Sequence, residues 1–179
     1  MATRSVDTNK THLVNRHFTP LAVLLVANGV ILGRPPFPQR DIAFALLILG
    51  IIFNFFSNRW IDRSPLSAGW KLDIRIYFNI AVNVLLVYIL QPYWEPAWLL
   101  LLLGPLASAM YGQCAKAMGT GFFNAGALLV LGWLRGFASP IEWARAMTYG
   151  MCILLLTLAV YGLSQAIRGE DANEHIDLL

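Results

Sequence analysis

Asparagines embedded in strongly apolar stretches are the side chains of this sequence best suited to bind a ligand. Asn79 and Asn83 are four positions apart, so they share one face if their stretch is helical. Asn54 and Asn124 fall at comparable depth in two other apolar stretches, and Asn28 lies in a further one. An amide in hydrocarbon must find a hydrogen-bond partner, so all five are expected to point towards other helices.

Two interpretations of these amides remain open. In the first they form interhelical hydrogen bonds, each contributing about 0.6 kcal/mol. In the second, Asn54, Asn79, Asn83 and Asn124 line a polar pocket for a quinone, a lipid headgroup or another small amphiphile. No cofactor is predicted, although a lipid or a quinone fits the second interpretation.

Side chains that could act as acids, bases, nucleophiles or metal ligands are concentrated outside the apolar stretches. The carboxylates nearest to those stretches lie at their ends or between them: Asp41, Asp73, Glu95 and Glu142. The histidines lie before the first stretch or after the last: His12, His17 and His175. The chain also lacks the spaced motifs of serine hydrolases, zinc proteases, P-loop proteins and dinucleotide-binding domains. We therefore predict no catalytic residue, no metal site and no enzymatic activity.

The composition indicates a protein whose solvent is mostly lipid. Of the 179 residues, 58% are hydrophobic and 13% are charged, and the mean hydropathy is +0.60. Soluble domains have about 45–50% apolar and about 25% charged residues. So few charges cannot cover a water-facing surface, which excludes a soluble enzyme and a disordered chain. The basic residues flank apolar runs, so the net charge of +3 does not indicate a nucleic-acid partner.

Six apolar stretches approach the length of transmembrane helices. A bilayer core of about 30 Å requires about 20 helical residues, within a range of about 17–25. We therefore predict an all-α, polytopic six-helix membrane bundle over residues 18–167, with an N-terminal tail at 1–17 and an acidic tail at 168–179. The predicted spans are 18–33, 42–57, 74–91, 97–114, 120–134 and 144–167.

Proline-containing joints separate the spans. Residues 33–38, 91–96 and 136–140 cannot continue a helix. Pro105, inside the fourth span, is expected to kink it. Aromatic side chains gather near the joints, as they do at the headgroup layer: Tyr93, Trp94, Trp98, Trp133 and Trp143.

The distribution of lysine and arginine predicts that both termini face the cytoplasm. With the N-terminus inside, nine basic residues fall in inner segments and four in outer loops, as the positive-inside rule requires. The chain is therefore predicted to be a multi-pass protein of the bacterial inner membrane. The inner set is Arg4, Lys10, Arg16, Arg59, Arg63, Lys71, Arg75, Lys116 and Arg168, and the outer set is Arg34, Arg40, Arg135 and Arg145.

Two further groups of residues are predicted to contact other helices or other chains. Gly104, Ser108 and Gly112 are spaced by four on the fourth span, a pattern that lets helix backbones approach closely. Basic and aromatic residues alternate in the inner connector 58–73, as in a segment at the membrane interface. The residues of the basic inner loop 59–75 that are expected to contact partners or headgroups are Arg59, Trp60, Arg63, Trp70, Lys71 and Arg75.

The middle of the chain has a characteristic order of segments. Residues 72–75, Leu-Asp-Ile-Arg, open a span that ends at the proline and aromatic turn 91–96, and a leucine-rich span, 98–111, follows and closes on Gly112. Over residues 70–165 this order resembles the six-helix membrane sensor modules of some bacterial histidine kinases, including the quinone-sensing group. The resemblance implies a sensor-like bundle. Because twelve residues follow the last predicted span, we expect any signalling output to lie in a partner protein.

Two hypotheses for the function follow. The first is a non-catalytic integral membrane protein that acts as an accessory, scaffold or sensor-like subunit of a larger complex, with other membrane subunits and lipids as its partners. The second is a small-molecule-binding component of a membrane transporter. The length of this chain and its number of predicted spans match those of the substrate-binding subunits of energy-coupling-factor transporters. Co-purifying subunits would favour the first hypothesis, and thermal stabilisation by a small ligand the second.

Overall fold

The computed structural model describes the backbone of residues 19–63, 68–111 and 114–177, and the side chains of that set except those at 58–63, 68–69, 71–72, 111 and 168–177. Every regular element within these residues is a helix, which confirms the all-α prediction. The elements are α1 (Thr19–Gly33), α2 (Gln39–Arg63), α3 (Ala68–Leu90), a 3₁₀ helix (Glu95–Leu99), α4 (Leu100–Tyr111), α5 (Cys114–Leu134) and α6 (Pro140–Asp177).

Four of these helices are long and apolar enough to cross a membrane. They contain the windows Gln39–Ser57, Asp73–Leu90, Cys114–Leu134 and Pro140–Ile167. Two further apolar helices are shorter, Thr19–Gly33 and Glu95–Met110. The class of a helical membrane protein is thereby supported, and each of the six predicted spans overlaps one of these helices.

The helices of the structure extend beyond several of the spans that hydropathy predicted. α2 continues to Arg63 and α3 begins at Ala68, so much of the predicted connector 58–73 is helical. Cys114, predicted to end the fourth span, begins α5 instead. Hydropathy marks where contact with hydrocarbon ends, whereas the backbone hydrogen bonds of a helix can continue into the headgroup layer and into water.

The predicted C-terminal tail is also part of a helix. α6 begins at Pro140 and continues through Asp177, so most of residues 168–179 extend the last span instead of leaving it. The predicted N-terminal tail, 1–17, lies outside the described residues.

The joint after α1 is formed as its prolines predict. α1 ends at Gly33, and Arg34 adopts a left-handed backbone with φ of 47°. The Arg34 N–H donates to the carbonyl oxygen of Val30 at 3.1 Å, which closes the last turn of the helix. Pro35 and Pro36 follow, and neither has an N–H with which to extend the ladder.

The joint between α5 and α6 contains two helix caps. Gly136, with φ of 70°, donates to the carbonyl of Trp133 at 2.9 Å, and Phe137 donates to the carbonyl of Gly132 at 3.2 Å, the pair of bonds that defines a Schellman motif. At the start of α6 the Ser139 Oγ accepts from the Ile141 N–H, while the Ser139 N–H donates to the carboxylate of Glu142, both at 3.2 Å. This reciprocal arrangement is a capping box with proline at the first helical position.

The described residues divide into two compact units between Gly104 and Pro105. In the first unit, the α3 face and the start of α4 supply most of the fully buried side chains: Ile80, Leu86, Val87, Leu90, Leu100 and Leu101. In the second unit, α5 packs along α6, and Ile153 and Thr157 of α6 are fully buried. Close packing of this kind is the main source of helix association in lipid, where apolar burial drives little.

Candidate functional site

A reciprocal amide pair joins α2 to α3. The Asn54 Nδ2 donates to the Asn79 Oδ1 at 3.1 Å, and the Asn79 Nδ2 donates to the Asn54 Oδ1 at 3.0 Å. Each half-buried carboxamide therefore has one donor and one acceptor satisfied by the other. The structure brings these two predicted residues together, and their hydrogen bonds join two helices.

A buried arginine lies one helical turn from this pair. Arg75 is 8% exposed, and its Nη2 donates to the backbone carbonyl oxygen of Ser57 at 2.9 Å. Ser57 is buried as well, and its Oγ donates to the carbonyl of Asn54 at 3.3 Å. Asn54, Ser57, Arg75 and Asn79 together form what we name the α2–α3 polar cluster.

Apolar contacts flank the α2–α3 polar cluster. The rings of Phe53 and Phe78 stack with centroids 3.6 Å apart and planes inclined by 24°. Further along the same contact, a Cβ built on Gly50 would lie 3.7 Å from the Cγ1 of Val82. The cluster therefore lies within a packed helix contact, where an amide or guanidinium group gains more from a hydrogen bond than it would in water.

Sequence reasoning found the amides of the cluster but assigned Arg75 differently and left out Ser57. Arg75 was predicted to face partners or headgroups from the connector, whereas the structure buries it between α2 and α3. The spacing of these residues along the two helices could have indicated the whole cluster. Residues 54 and 57 are three apart on α2, and residues 75 and 79 are four apart on α3, so each pair shares a helix face.

Asn83 shares a helix with Asn79 but bonds elsewhere. Its Nδ2 donates to the carbonyl oxygen of Leu100, at the start of α4, at 3.0 Å. Asn83 is 8% exposed. The two amides predicted to share a face thus fasten α3 to two different neighbours, Asn79 to α2 and Asn83 to α4.

Asn124 lies in the second unit and makes a bond within its own helix. Its side chain is fully buried, and its Nδ2 donates to the carbonyl of Thr120 at 2.8 Å. Its Oδ1 has no hydrogen-bond partner within the part of the chain that the structure describes. A buried acceptor without a donor is costly, so this oxygen is a position at which a ligand or a water molecule could donate.

The side chain of Asn28 is not buried against another helix of the described fold. It was predicted to point towards another helix, whereas the structure leaves its side chain exposed on α1. Its carboxamide makes no hydrogen bond to the residues that the structure describes. Its neighbour Gly29 faces inward instead, where a Cβ would lie 2.9 Å from the Cε3 of Trp94.

The predicted helix-contact strip is described in part. Gly104 and Ser108 are buried on α4, as close packing requires, and Gly112 lies outside the described residues. The Ser108 Oγ has no hydrogen-bond partner among the described atoms. Close approaches that glycine permits are found on α5 and α6: a Cβ on Gly121 would lie 3.3 Å from Leu154, and a Cβ on Gly150 would lie 3.4 Å from Ala125.

The predicted interfacial residues are also described in part. Trp70 is 66% exposed near the start of α3, which leaves its ring available to headgroups or to a partner. The side chains of the other members of this group, Arg75 apart, lie outside the description: Arg59, Trp60, Arg63 and Lys71.

These residues make hydrogen bonds and packing contacts in the structure. Within the described ranges, no three histidine, cysteine, aspartate or glutamate side chains come together as metal ligands would. Cys114 is an exposed free thiol on α5 and Cys152 a half-buried one on α6. No family model, curated protein or solved structure matches the chain, so function is inferred from the side chains themselves.

Proposed function

We propose that this protein is a non-catalytic integral membrane protein of the bacterial inner membrane, with six spans and both termini in the cytoplasm. It acts as an accessory, scaffold or sensor-like subunit of a larger complex, bound to other membrane subunits and to lipids. A sensor-like role agrees with the resemblance to kinase sensor modules.

One observation carries this proposal: the apolar helices keep most of their surface outside the fold. Only 17% of the residues in the membrane windows of α2 and of α6 are buried, and 39% of those in the windows of α3 and α5. In a membrane such surfaces contact lipid or other helices. The α2–α3 polar cluster supports the absence of catalysis, because both of its amides and the Arg75 Nη2 are used for hydrogen bonds between the two helices.

Two thiols can test the number of spans. With six spans, Cys114 and the α2–α3 connector lie on the same side of the membrane. With four spans, made by the long helices alone, they lie on opposite sides. A Cys152→Ala variant retains Cys114 as its one thiol, and a second variant, with Cys114→Ser added, carries Trp70→Cys near the connector.

A membrane-impermeant maleimide, applied to right-side-out and inverted vesicles, reads the side of each thiol. We expect both to be labelled in inverted vesicles, with Pro36→Cys as the control labelled in right-side-out vesicles. Labelling of Cys114 and Trp70→Cys from opposite sides would contradict the six-span topology.

Assembly is tested by mass. We expect the protein, purified in mild detergent from its own membranes, to form a particle heavier than the 19.9 kDa chain plus its detergent. Monomeric particles under conditions that preserve other membrane complexes would count against a subunit role.

A second candidate function is supported by Asn124. Its buried Oδ1, without a donor among the described residues, could accept a hydrogen bond from a quinol, a lipid headgroup or another small amphiphile. This favours a small-molecule-binding component of a transporter. Stabilisation by such a ligand that Asn124→Leu abolishes and Asn54→Leu preserves would support it, and equal stabilisation of all three proteins would contradict a site at Asn124.

A further inference from the structure

Asn28 differs from the other asparagines whose side chains the structure describes. Asn54, Asn79, Asn83 and Asn124 are buried or half-buried, and each donates from Nδ2 to an oxygen of the same chain. Asn28 is exposed, and its carboxamide has no partner among the described residues. It lies five residues before the end of α1, about 7.5 Å along the helix axis.

The exposed face of α1 has a regular spacing around Asn28. Leu21, Leu24 and Ile31 are 44%, 60% and 67% exposed. With Asn28 they recur at intervals of three, four and three residues, which is the a and d spacing of a two-helix contact. Val26, Gly29 and Val30 on the other side of α1 are buried, so α1 faces its own fold with one side only.

In lipid, this face would leave the N–H donors and the oxygen acceptor of the Asn28 carboxamide unsatisfied. Hydrocarbon has no hydrogen-bond donors or acceptors with which these groups could pair, and each unsatisfied polar group costs free energy. Leu21, Leu24 and Ile31 need no partner, because lipid contacts them as well as another helix does. Asn28 is therefore the residue on this exposed face that needs a hydrogen-bond partner.

A second copy of the chain provides that partner at the correct depth. Two copies inserted with the same orientation present parallel α1 helices, so a two-fold axis along the membrane normal brings Asn28 opposite Asn28. The Asn54–Asn79 pair shows the bonding that results, with each amide donating to the other at 3.0 to 3.1 Å. An asparagine at an a position also selects the parallel register, since any shift separates the two amides.

We propose that α1 pairs with α1 of a second copy through Leu21, Leu24, Asn28 and Ile31, with the two Asn28 carboxamides hydrogen-bonded to each other. The pairing rests on the proposed membrane location, and it names a partner for the proposed subunit role. The contact is isologous and closes on itself, so it produces a dimer and no longer array.

Cysteine cross-linking in native membranes tests the contact. In a background with Cys114→Ser and Cys152→Ala, Leu24→Cys should form a disulfide-linked dimer with mild oxidant. The matched control is Ile48→Cys, on the exposed apolar face of α2, where the native side chain is 54% exposed. Equal cross-linking at the two positions, or none at Leu24→Cys, overturns the proposal.

The amide is tested by substitutions that keep the fold. Asn28→Leu should weaken dimerisation about tenfold, equivalent to about 1.4 kcal/mol, while Asn28→Gln retains most of it. The thermal midpoint of the diluted monomer should stay unchanged, because Asn28 makes no contact that its removal would break. Unchanged dimerisation of Asn28→Leu overturns the proposal.

The proposed function and the pairing can fail separately. A complex with a different subunit that is lost in Asn28→Leu would replace the second copy and overturn the pairing, although the subunit role would stand. Extraction of the chain from membranes by alkaline carbonate would instead remove the membrane location on which both depend.

Discussion

The guanidinium of Arg75 is hydrogen-bonded to the backbone of another helix, with its Nη2 2.9 Å from the carbonyl oxygen of Ser57. A helix carbonyl already accepts one bond within its own helix, and its second lone pair is used here by a charged donor. Arg75 thereby fixes the rotation of α3 about its axis relative to α2. The neighbouring Asn54–Asn79 pair then fixes the same contact at a second point.

Replacing Arg75 should destabilise the first unit. Arg75→Met replaces the aliphatic part of the side chain but removes its donors, and we expect a loss of about 1.5–3 kcal/mol in the free energy of unfolding, as for other hydrogen bonds to charged groups. Denaturation in detergent micelles measures it. The control is Arg40→Met, since Arg40 and its ion-pair partner Asp41 are exposed and such a pair contributes about 0–1 kcal/mol. Equal losses in both variants would contradict a structural role for Arg75.

The Asn54–Asn79 pair should behave as a coupled unit. Asn54→Leu and Asn79→Leu each leave one amide without its partner, whereas the double variant leaves none. We therefore expect a coupling energy of about 0.6 kcal/mol, and at most about 1.7 kcal/mol, from a double-mutant cycle on unfolding. Tyr77→Phe, which removes an exposed hydroxyl from the same helix, should change stability by less than about 0.5 kcal/mol. Strict additivity of the two leucine substitutions would refute the coupling.

Gly121 should tolerate no large side chain. A Cβ there would lie 3.3 Å from Leu154 and 3.5 Å from the Thr157 hydroxyl, so Gly121→Leu must separate α5 from α6, at a cost of about 1–3 kcal/mol. Gly126 on the same helix has nothing within 4 Å of its Cβ position. Gly126→Leu should accordingly be neutral or stabilising. The measurement is the thermal midpoint of unfolding of each variant. A Gly126→Leu variant as unstable as Gly121→Leu would contradict this packing.

Trp94 should exclude any side chain larger than hydrogen at position 29. The Cβ of Gly29→Ala would lie 2.9 Å from the indole, which forces the ring to move at a cost of about 1–3 kcal/mol. Adding Trp94→Leu removes the clash, so the double variant should lose less stability than the sum of the two changes. Gly119→Ala, in open space, is the control. Indole fluorescence would report the ring movement, and an unaltered spectrum with unaltered stability would argue against the contact.

The helices and their joints could be predicted from composition and from proline positions. The breaks at 33–38, 91–96 and 136–140 follow from residues that cannot donate a backbone bond, and they lie where expected. The ends near Arg63 and Asp177 could not be predicted in this way, because hydropathy reports the solvent and a helix continues across the change from lipid to water. The Ser139–Glu142 capping box was detectable from its spacing alone.

The site could be predicted only as a set of candidate residues. The sequence places Asn79 and Asn83 on one helix face, but which neighbour each would meet depends on the packing of three helices, and the two bond to different ones. The burial of Arg75 follows from the same packing, since a basic residue at a span end can extend to the headgroups or turn back to a carbonyl. Asn28 shows the converse, an amide in an apolar stretch that its own chain does not bury.

α6 has a mechanical consequence through its length. Its 38 residues form a rod of about 57 Å, nearly twice the thickness of a bilayer core of about 30 Å. If α6 rotates as a rigid rod by about 10° about one end, its other end moves by about 10 Å. That displacement equals the diameter of a helix. A change of about 10° in the tilt of α6 about its first turn would therefore move Asp177 by about the diameter of a helix.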